Sequence, residues 1–543
     1  MEGTATKALP LDRDRILPHL IARRAAEQPD RVYLQSVHGD SMTYGAVHDT
    51  GLHWADGFGR LGVRRDAAIA ILLPNGFDIP LAWLGAAWIG ARIVTINPAF
   101  RGRMLEHVLA VSGAAVIVTT EELAERLTSI DVRATALTTG IFVDRVPAAP
   151  DHGLTRVVDK AAFLEGTQAT PREGPEPHDI AAVIFTSGTT GPSKAVAMHW
   201  AQLHSTSSDP MLDAMGPDDR WYSPLPMFHI SGLGPLYRMA LAGGQVVVRE
   251  LFSASEYFSD IRKFGITGAV LIESMFQILM KSAAQGETKP PTLKYVTAVP
   301  VPAYIDQFIA QFGVQVGTMY NMTELGGPIC SNGFSVTGAD AGSCGRVRDG
   351  FEARIVDDLD YPVADGQAGE LVIRPLKPWT TATSYLNNPA ATAQAWRNGW
   401  FHTGDVFRRD AEGRYYFVDR LKDAIRRRGE NISSAEVEAE VLANAEVREC
   451  AAVPFRTDDG SEEVKIFIVP TDAERFDPRA LIEYLIPRMP HFMVPRFVEA
   501  IAELPRTASH KIQKHMLRDL GNGSDRTWDR EAAGIVLKSR RSG

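Results

Sequence analysis

The stretch Thr186-Ser187-Gly188-Thr189-Thr190-Gly191-Pro192-Ser193-Lys194 holds the densest chemistry in this chain. Its hydroxyls are short donors, its glycines let the backbone turn tightly and approach a ligand, and Lys194 adds a point charge. Those are the parts a loop needs to wrap a polyphosphate. The string is not the common P-loop, which has Gly directly before Lys and Ser or Thr after it; here Ser193 precedes Lys194 and Ala195 follows. Composition alone favours a solvated turn. The flanks, Ile180 to Phe185 and Ala195 to Met198, are apolar runs that read as strands, so the loop joins two strands.

Taken whole, TSGTTGPSK resembles the phosphate-binding signature of the adenylate-forming superfamily: acyl-CoA synthetases, firefly luciferase and the adenylation domains of peptide synthetases. The resemblance runs from about Leu17 to about Leu520. It implies that ATP and a carboxylate form an acyl-adenylate and that a second nucleophile then takes the acyl group. On that likeness Thr186, Ser187, Gly188, Thr189, Thr190, Gly191 and Lys194 hold the phosphates, and Thr186 also takes part in catalysis.

Other segments extend the likeness. Tyr320-Asn321-Met322-Thr323-Glu324 resembles the family's YGxTE segment, with Asn at the usual Gly. The resemblance puts Tyr320 on adenine, Asn321 in the same nucleotide wall, Thr323 at the α-phosphate and Glu324 on Mg²⁺. A hard cation wants oxygen ligands and keeps most of its waters, so one carboxylate can suffice. Asn tolerates left-handed backbone better than most residues, so Asn321 is expected to keep a turn there. In Trp400-Phe401-His402-Thr403-Gly404-Asp405, Asp405 resembles the ribose-binding Asp, a carboxylate able to accept from both ribose hydroxyls.

Asp419-Arg420-Leu421-Lys422-Asp423-Ala424-Ile425 resembles the superfamily's hinge, with Lys422 at the pivot and Arg420 near ribose and phosphates. The GENIS string from Gly429 onward is closer to acyl-CoA synthetases than to peptide-synthetase domains, although Ser434 stands where Pro is usual. Arg426, Arg427 and Arg428 are either a solvated face or a contact for CoA phosphates. Pro505-Arg506-Thr507-Ala508-Ser509-His510-Lys511-Ile512 resembles the PRTxxGK loop, which makes Lys511 the catalytic lysine, with His510 replacing Gly. A flexible ammonium can follow charge from the carboxylate oxygen to the bridging oxygen and α-phosphate.

Three places bear on the acid. Ser223-Pro224-Leu225-Pro226-Met227-Phe228-His229 resembles the PLPxFH segment, where the residue matching His229 sits between acyl pocket and adenylate. Within GAVLIESMFQILM only Glu273 can carry charge, and a buried carboxylate must be paired, hydrated or neutral. It is either a structural ion-pair partner or a pocket residue facing a substrate amine. Thr297, Ala298, Val299 and Pro300 stand where many relatives carry a glycine pair and Ala-Pro. Their bulk predicts a narrow floor and a small or medium acid, aromatic acids included.

These residues need rigid supports, and the pattern supplies them. Strand candidates at Ala67 to Leu73, Arg92 to Ile96 and Ala114 to Thr119 alternate with helices at Thr43 to Leu61, through Trp83 and Trp88, and at Leu105 to Val111. The order predicts an α/β fold: a large N-terminal domain of layered α/β subdomains plus a small β-region, over residues 1–420. A small mobile α+β domain follows over 421–520, and 521–543 is read as a mobile polar tail anchored by Trp528. The Pro- and Gly-rich stretch from Pro147 to Pro177 reads as a surface connection.

A net charge of −9 over 543 residues argues against nucleic acid as the main partner. The expected partners are a small acid, ATP and CoA, with a homodimer left open. Cys330, Cys344 and Cys450 form no CxxC pair, which suits a reducing cytoplasm. Early charges such as Asp12, Arg13 and Asp14 leave no apolar signal core, and Phe77 to Ile96 reads as a buried helix and strand, not a membrane span. The function this favours is an acid–CoA ligase. Its alternatives are adenylation with an amine, a carrier thiol or nitrite as acceptor, and a nucleotide-binding regulator without catalysis.

Overall fold

The computed structural model describes residues 11–146, 152–186, 193–284, 290–420, 425–427, 430–432, 434–457, 462–489, 491, 493–506, 512–521 and 526–537. The chain divides into two compact units. The first comprises Met1–Ala353, Ile373–His402 and Glu412–Tyr415; the second comprises Arg354–Val372, Thr403–Ala411 and Tyr416–Gly543.

Alternation along buried strands sets the layers of the first unit. In Ala68–Leu72, Ile69 and Ile71 enter one core while Ala68, Ala70 and Leu72 enter another. That strand lies inside a seven-stranded sheet of order Arg156–Asp159, Thr139–Phe142, Val116–Thr119, Ala68–Leu72, Arg92–Thr95, Ile180–Thr186 and Lys194–His199. All neighbours are parallel except the last pair, which is antiparallel.

A second sheet of nine strands has Tyr295–Val299 between two parallel neighbours, Gly268–Ile272 and Gln315–Met322. One core draws residues from both sheets, Ile69 and Ile184 from the first and Leu34, Trp221 and Val246 from the second. Helices Leu17–Glu27, Tyr44–Arg60, Asp78–Trp88 and Ile230–Ala242 contribute to it as well. The far face of the nine-stranded sheet is covered by Phe258, Phe276, Phe308 and Phe312 from three further helices. This is the layered α/β arrangement the pattern predicts.

Local chemistry fixes the helices. Thr43 Oγ1 accepts the Ala46 N–H at 3.2 Å and starts Tyr44–Arg60, whose Val47, Trp54 and Phe58 are wholly buried. Trp83 stacks on Trp200 at 5.3 Å and gives its indole N–H to the Ala181 carbonyl at 3.0 Å. The Pro147 to Pro177 connection carries more structure than predicted. Arg156–Asp159 is an edge strand, and the helix Lys160–Leu164 sets Phe163 against Trp54 and Phe58. A strand of four residues with two valines is too short for periodicity to register.

In the second unit, strands Val447–Arg456, Glu462–Pro470, Phe497–Ala500 and Trp528–Asp529 form one sheet. Val464, Ile466 and Ile468 face Leu481, Ile482 and Leu485 on one side, and Phe467 and Val469 face Leu504 and Leu517 on the other. Lys465 is fully buried and lies 2.7 Å from Glu499, so each charge compensates the other. In the segment read as a mobile tail anchored by Trp528, residues 526–537 are held at that aromatic and at further points. Trp528–Asp529 pairs with Phe497–Val498, Asp529 lies 3.1 Å from Arg496, and Arg530 is buried. These partners lie far upstream, where no local pattern could reveal them. Among the described residues, no helix is long and apolar enough to cross a membrane. Cys330, Cys344 and Cys450 are buried thiols, none of them in a disulfide.

His204, on the helix Trp200–Ser207, has its pKa pulled down to about 4 by burial and by Arg15, Arg348 and Lys377. Below about pH 6.5 the unfolded chain therefore binds a proton that the folded chain refuses until about pH 4. The associated stability, about 3 kcal/mol, is present above that window and lost as pH falls through it. In denaturant titrations, His204→Gln should lose about 3 kcal/mol less than the parent between about pH 7 and pH 4.

Candidate active site

The antiparallel pair Ile180–Thr186 and Lys194–His199 places Thr186 opposite Lys194, so both ends of the phosphate-type loop leave from one point. Ser187, Gly188, Thr189, Thr190 and Gly191 lie outside the described residues. The outer edge of Lys194–His199 is occupied by a further segment. Leu386 N–H donates to the Ala195 carbonyl at 2.8 Å, Ala197 N–H to the Ser384 carbonyl at 3.3 Å, and Val196 bridges Tyr385.

That edge contact delivers Tyr385, which the sequence reading missed. Lys194 Nζ sits 4.6 Å above its ring, and the Tyr385 hydroxyl donates to Glu324 Oε1 at 2.9 Å. Lys194 and Glu324, far apart in sequence, are thus joined through one phenol. Burial first, then the Glu324 charge and hydrogen bond, push the phenol well above its usual range, so it stays a donor. Glu324 is 5% exposed, and its carbonyl accepts the Ala382 N–H at 2.7 Å. The only local signal for Tyr385 was an aromatic residue in the polar run from Thr380 to Asn388.

Tyr320, Asn321, Thr323 and Glu324 lie at or just beyond the end of Gln315–Met322. Tyr320 pairs with Ile329 and Met322 with Gly326, with a register shift between them at Asn321. Asn321 therefore lies in an irregular strand, and the left-handed turn expected of it is taken by Gly326, with φ +71°. A Cβ on Gly326 would lie 2.2 Å from Thr206 Oγ1, so the close approach also requires glycine. Thr323 is buried, and its carbonyl accepts Gln202 Nε2–H at 2.8 Å.

His229 caps the helix Ile230–Ala242 with extended backbone, its ring 5.1 Å from that of Phe228. The preceding turn is fixed by Asn75, unremarked in the sequence. Its side chain donates to the Leu225 and Arg249 carbonyls at 2.9 and 3.2 Å and accepts the Met227 N–H at 2.8 Å. Thr95 Oγ1 donates to the Phe228 carbonyl at 3.0 Å.

Of the expected pocket floor, Thr297 lies buried on Tyr295–Val299 with its hydroxyl 3.7 Å from Met211 Sδ, while Ala298 packs into the opposite core. Val299 is half-buried at the strand end and Pro300 is exposed. Glu273 starts the helix Glu273–Ala284, but its side chain lies outside the described residues.

In the second unit, Arg420 Nε lies 3.0 Å from Asp405 Oδ1, and Asp405 is 1% exposed. The Thr403 hydroxyl accepts the Asp405 N–H at 3.1 Å. The two residues carried over as ribose contacts are thus neighbours. Lys422, His510 and Lys511 lie outside the described residues.

A carboxylate is the oxygen ligand a hard divalent cation prefers, and the neutral Tyr385 donor leaves its charge in place, so Glu324 fits Mg²⁺.

Residues 21–385 match the family model described as AMP-binding enzyme, and 436–511 match AMP-binding enzyme C-terminal domain. A sulfoacetate–CoA ligase of Cupriavidus necator is 29% identical over 92% of this chain and 96% of its own. A crotonobetaine/carnitine–CoA ligase of Salmonella paratyphi B is 30% identical over 88% of this chain and 93% of its own. The structure resembles that of the anthranilate CoA ligase AuaEII in complex with anthranoyl-AMP, with TM-score 0.81, 22% identity and coverage of 94% and 98%. It also resembles o-succinylbenzoate CoA synthetase from Bacillus subtilis in complex with its acyl-adenylate, with TM-score 0.79, 23% identity and coverage of 92% and 98%.

The His229 turn depends on Gly232. A Cβ there would lie 2.4 Å from the Pro226 oxygen and 2.6 Å from Met227 Cα, both backbone atoms that cannot swing aside. Gly232→Ala should cost about 1–3 kcal/mol, read as a lower denaturant midpoint with unchanged slope.

Proposed function

The chain belongs to the AMP-binding enzyme family, and from that premise we propose that it joins a small or medium carboxylic acid to coenzyme A through an acyl-adenylate. It is an AMP-forming enzyme of the acyl-CoA synthetase kind. The observation that carries the finer reading is the linkage of Lys194, Tyr385 and Glu324 at the mouth of the phosphate-type loop.

A carboxylate is a poor electrophile, because its charge repels nucleophiles and oxide leaves badly. Transfer of AMP removes that charge and installs a good leaving group. In the first step a carboxylate oxygen attacks the α-phosphorus and the bond to pyrophosphate breaks. Thr186 to Lys194 hold the phosphates, with Lys194 fixed over the Tyr385 ring. Thr323 lies at the α-phosphate, and Asp405 with Arg420 takes the ribose end. Glu324, oriented by Tyr385, would hold Mg²⁺, which when bound neutralises phosphate charge. Lys511 brings an ammonium to the oxygens that gain charge. In the second step the thiol sulfur attacks the acyl carbonyl, loses its proton, and AMP departs. Rotation at Lys422 withdraws Lys511 between the steps.

Two arguments support a small or medium acid. Thr297, Ala298 and Val299 add bulk where many relatives have a glycine pair and Ala-Pro, and the relatives above act on sulfoacetate, crotonobetaine or carnitine, and anthranilate. Glu273 is the candidate partner for an amine or other cation on the acid.

Screening an acid panel for ATP-dependent pyrophosphate release, with CoA, amines and nitrite supplied separately, identifies acid and acceptor. Absence of pyrophosphate release with every acid would overturn the reading. Tyr385→Phe keeps the ring beneath Lys194 but removes the donor to Glu324. It should lower the adenylation rate about tenfold and raise the Mg²⁺ concentration needed for half-maximal rate. Lys511→Ala should lower adenylation about 10²- to 10³-fold.

A further inference from the structure

The second unit contains a buried chain of polar groups that the mechanism does not use. It begins at Asp419, the first residue of the hinge segment, whose carboxylate accepts the Arg420 N–H on Oδ1 at 2.7 Å. Its other oxygen accepts both the backbone N–H and the hydroxyl of Ser434, each at 2.6 Å. The Ser434 hydroxyl in turn accepts a hydrogen bond from Lys514 Nζ. Lys514 is paired with Glu438 at 2.8 Å, and Glu438 also accepts the Ala452 N–H at 2.7 Å, which ties the chain to the central sheet. Asp419 and Ser434 are 4% and 0% exposed, so water competes little with these bonds.

The placement of the ends gives this chain its meaning. Lys514 opens the helix Lys514–Gly521 and follows Lys511 by one short step of sequence. The backbone on either side of residues 507–511 is pinned: Arg506 bridges Ile512, Gln513 N–H donates to the Pro505 carbonyl at 2.8 Å, and Arg506 lies 2.8 Å from Glu449. At the other end, Asp419 adjoins Arg420, which is paired with Asp405. Asp419 lies before the proposed pivot Lys422, whereas Ser434, Glu438 and Lys514 lie after it. Rotation at the pivot must therefore break the two Asp419–Ser434 bonds. The residue type decides whether they exist, since the proline usual at this position has neither N–H nor hydroxyl.

We infer that Asp419, Ser434, Lys514 and Glu438 form a brace across the hinge that sets the base of the Lys511 loop in register with Arg420 for the adenylation step. Ser434 and Lys514 are positioning residues, acting through Lys511. The inference rests on the ligase reading for its catalytic consequence, but the brace itself can be tested without substrate.

Hydrogen exchange on the full-length protein without ligand tests the brace directly. Ser434→Ala and Lys514→Met should speed exchange of the 512–517 amides about tenfold, and Lys514→Arg should restore slow exchange. Unchanged exchange in both variants would overturn the brace. The two half-reactions are then measured apart, with sulfoacetate, carnitine and anthranilate as first probes and the best acid of the panel thereafter. Ser434→Ala and Ser434→Pro should slow adenylation about tenfold and leave thioester formation from supplied acyl-adenylate within about twofold. Proportional loss of both steps, or selective loss of the thioester step, would overturn the positioning role. Failure of the underlying reading looks different: no acid of the panel would then release pyrophosphate, while the exchange pattern stayed as expected.

Discussion

The first unit's chemistry depends on one backbone constraint, the addition of residues 384–386 to the edge of Lys194–His199. An edge strand carries unpaired N–H and C=O groups that must be met. Here they are met by a segment that brings in a tyrosine, and the tyrosine reaches a carboxylate from a different sheet. Satisfying the backbone and assembling the site are therefore one event. Register is the vulnerable quantity: a slip of one residue would turn Tyr385 to the other side of the edge and part Lys194 from Glu324.

The choice of a phenol as the link has electrostatic logic. A guanidinium at the same place would neutralise Glu324 and compete with any cation the carboxylate should hold. A phenol held protonated by burial orients one carboxylate oxygen and brings no formal charge. Burying a carboxylate costs several kcal/mol unless it is hydrogen-bonded, and a neutral donor lowers that cost while leaving the charge available. The aromatic face serves Lys194 at the same time. One residue thereby supports an anion on its edge and a cation on its face.

What the sequence made legible follows from the range of each signal. The two strands that flank the phosphate-type string, the helix from Thr43 onward and the alternating strands are local patterns, and they reappear within a residue or two of their predicted ends. Asn75, Gln202 and Tyr385 act through hydrogen bonds to distant backbone or side chains, and nothing beside them in sequence announces the partner. The edge strand at Arg156 and the paired segment at Trp528 share that limitation, since their stability comes from the neighbouring strand and not from their own pattern. The turn placed at Asn321 was shifted for a related reason: the strand runs through it, and Gly326 absorbs the bend.

The segment expected to form the pocket floor shows how pleating divides a motif that looks continuous. Thr297, Ala298, Val299 and Pro300 are consecutive, yet Ala298 belongs with Val296 to the core under Phe276 and Phe308, and Thr297 faces the other way toward Met211. Period-two geometry allows no other outcome for a strand hydrogen-bonded on both sides. Bulk at 297 is limited on the other face, where Thr297 is 3% exposed against the wholly buried Met211, whereas Val299 at the strand end is only half-buried. Bulk at 298 is limited by packing, whatever the substrate. On the proposed reading, a change of acid preference in this segment falls to Val299, while Thr297 and Ala298 are each held by the core they enter.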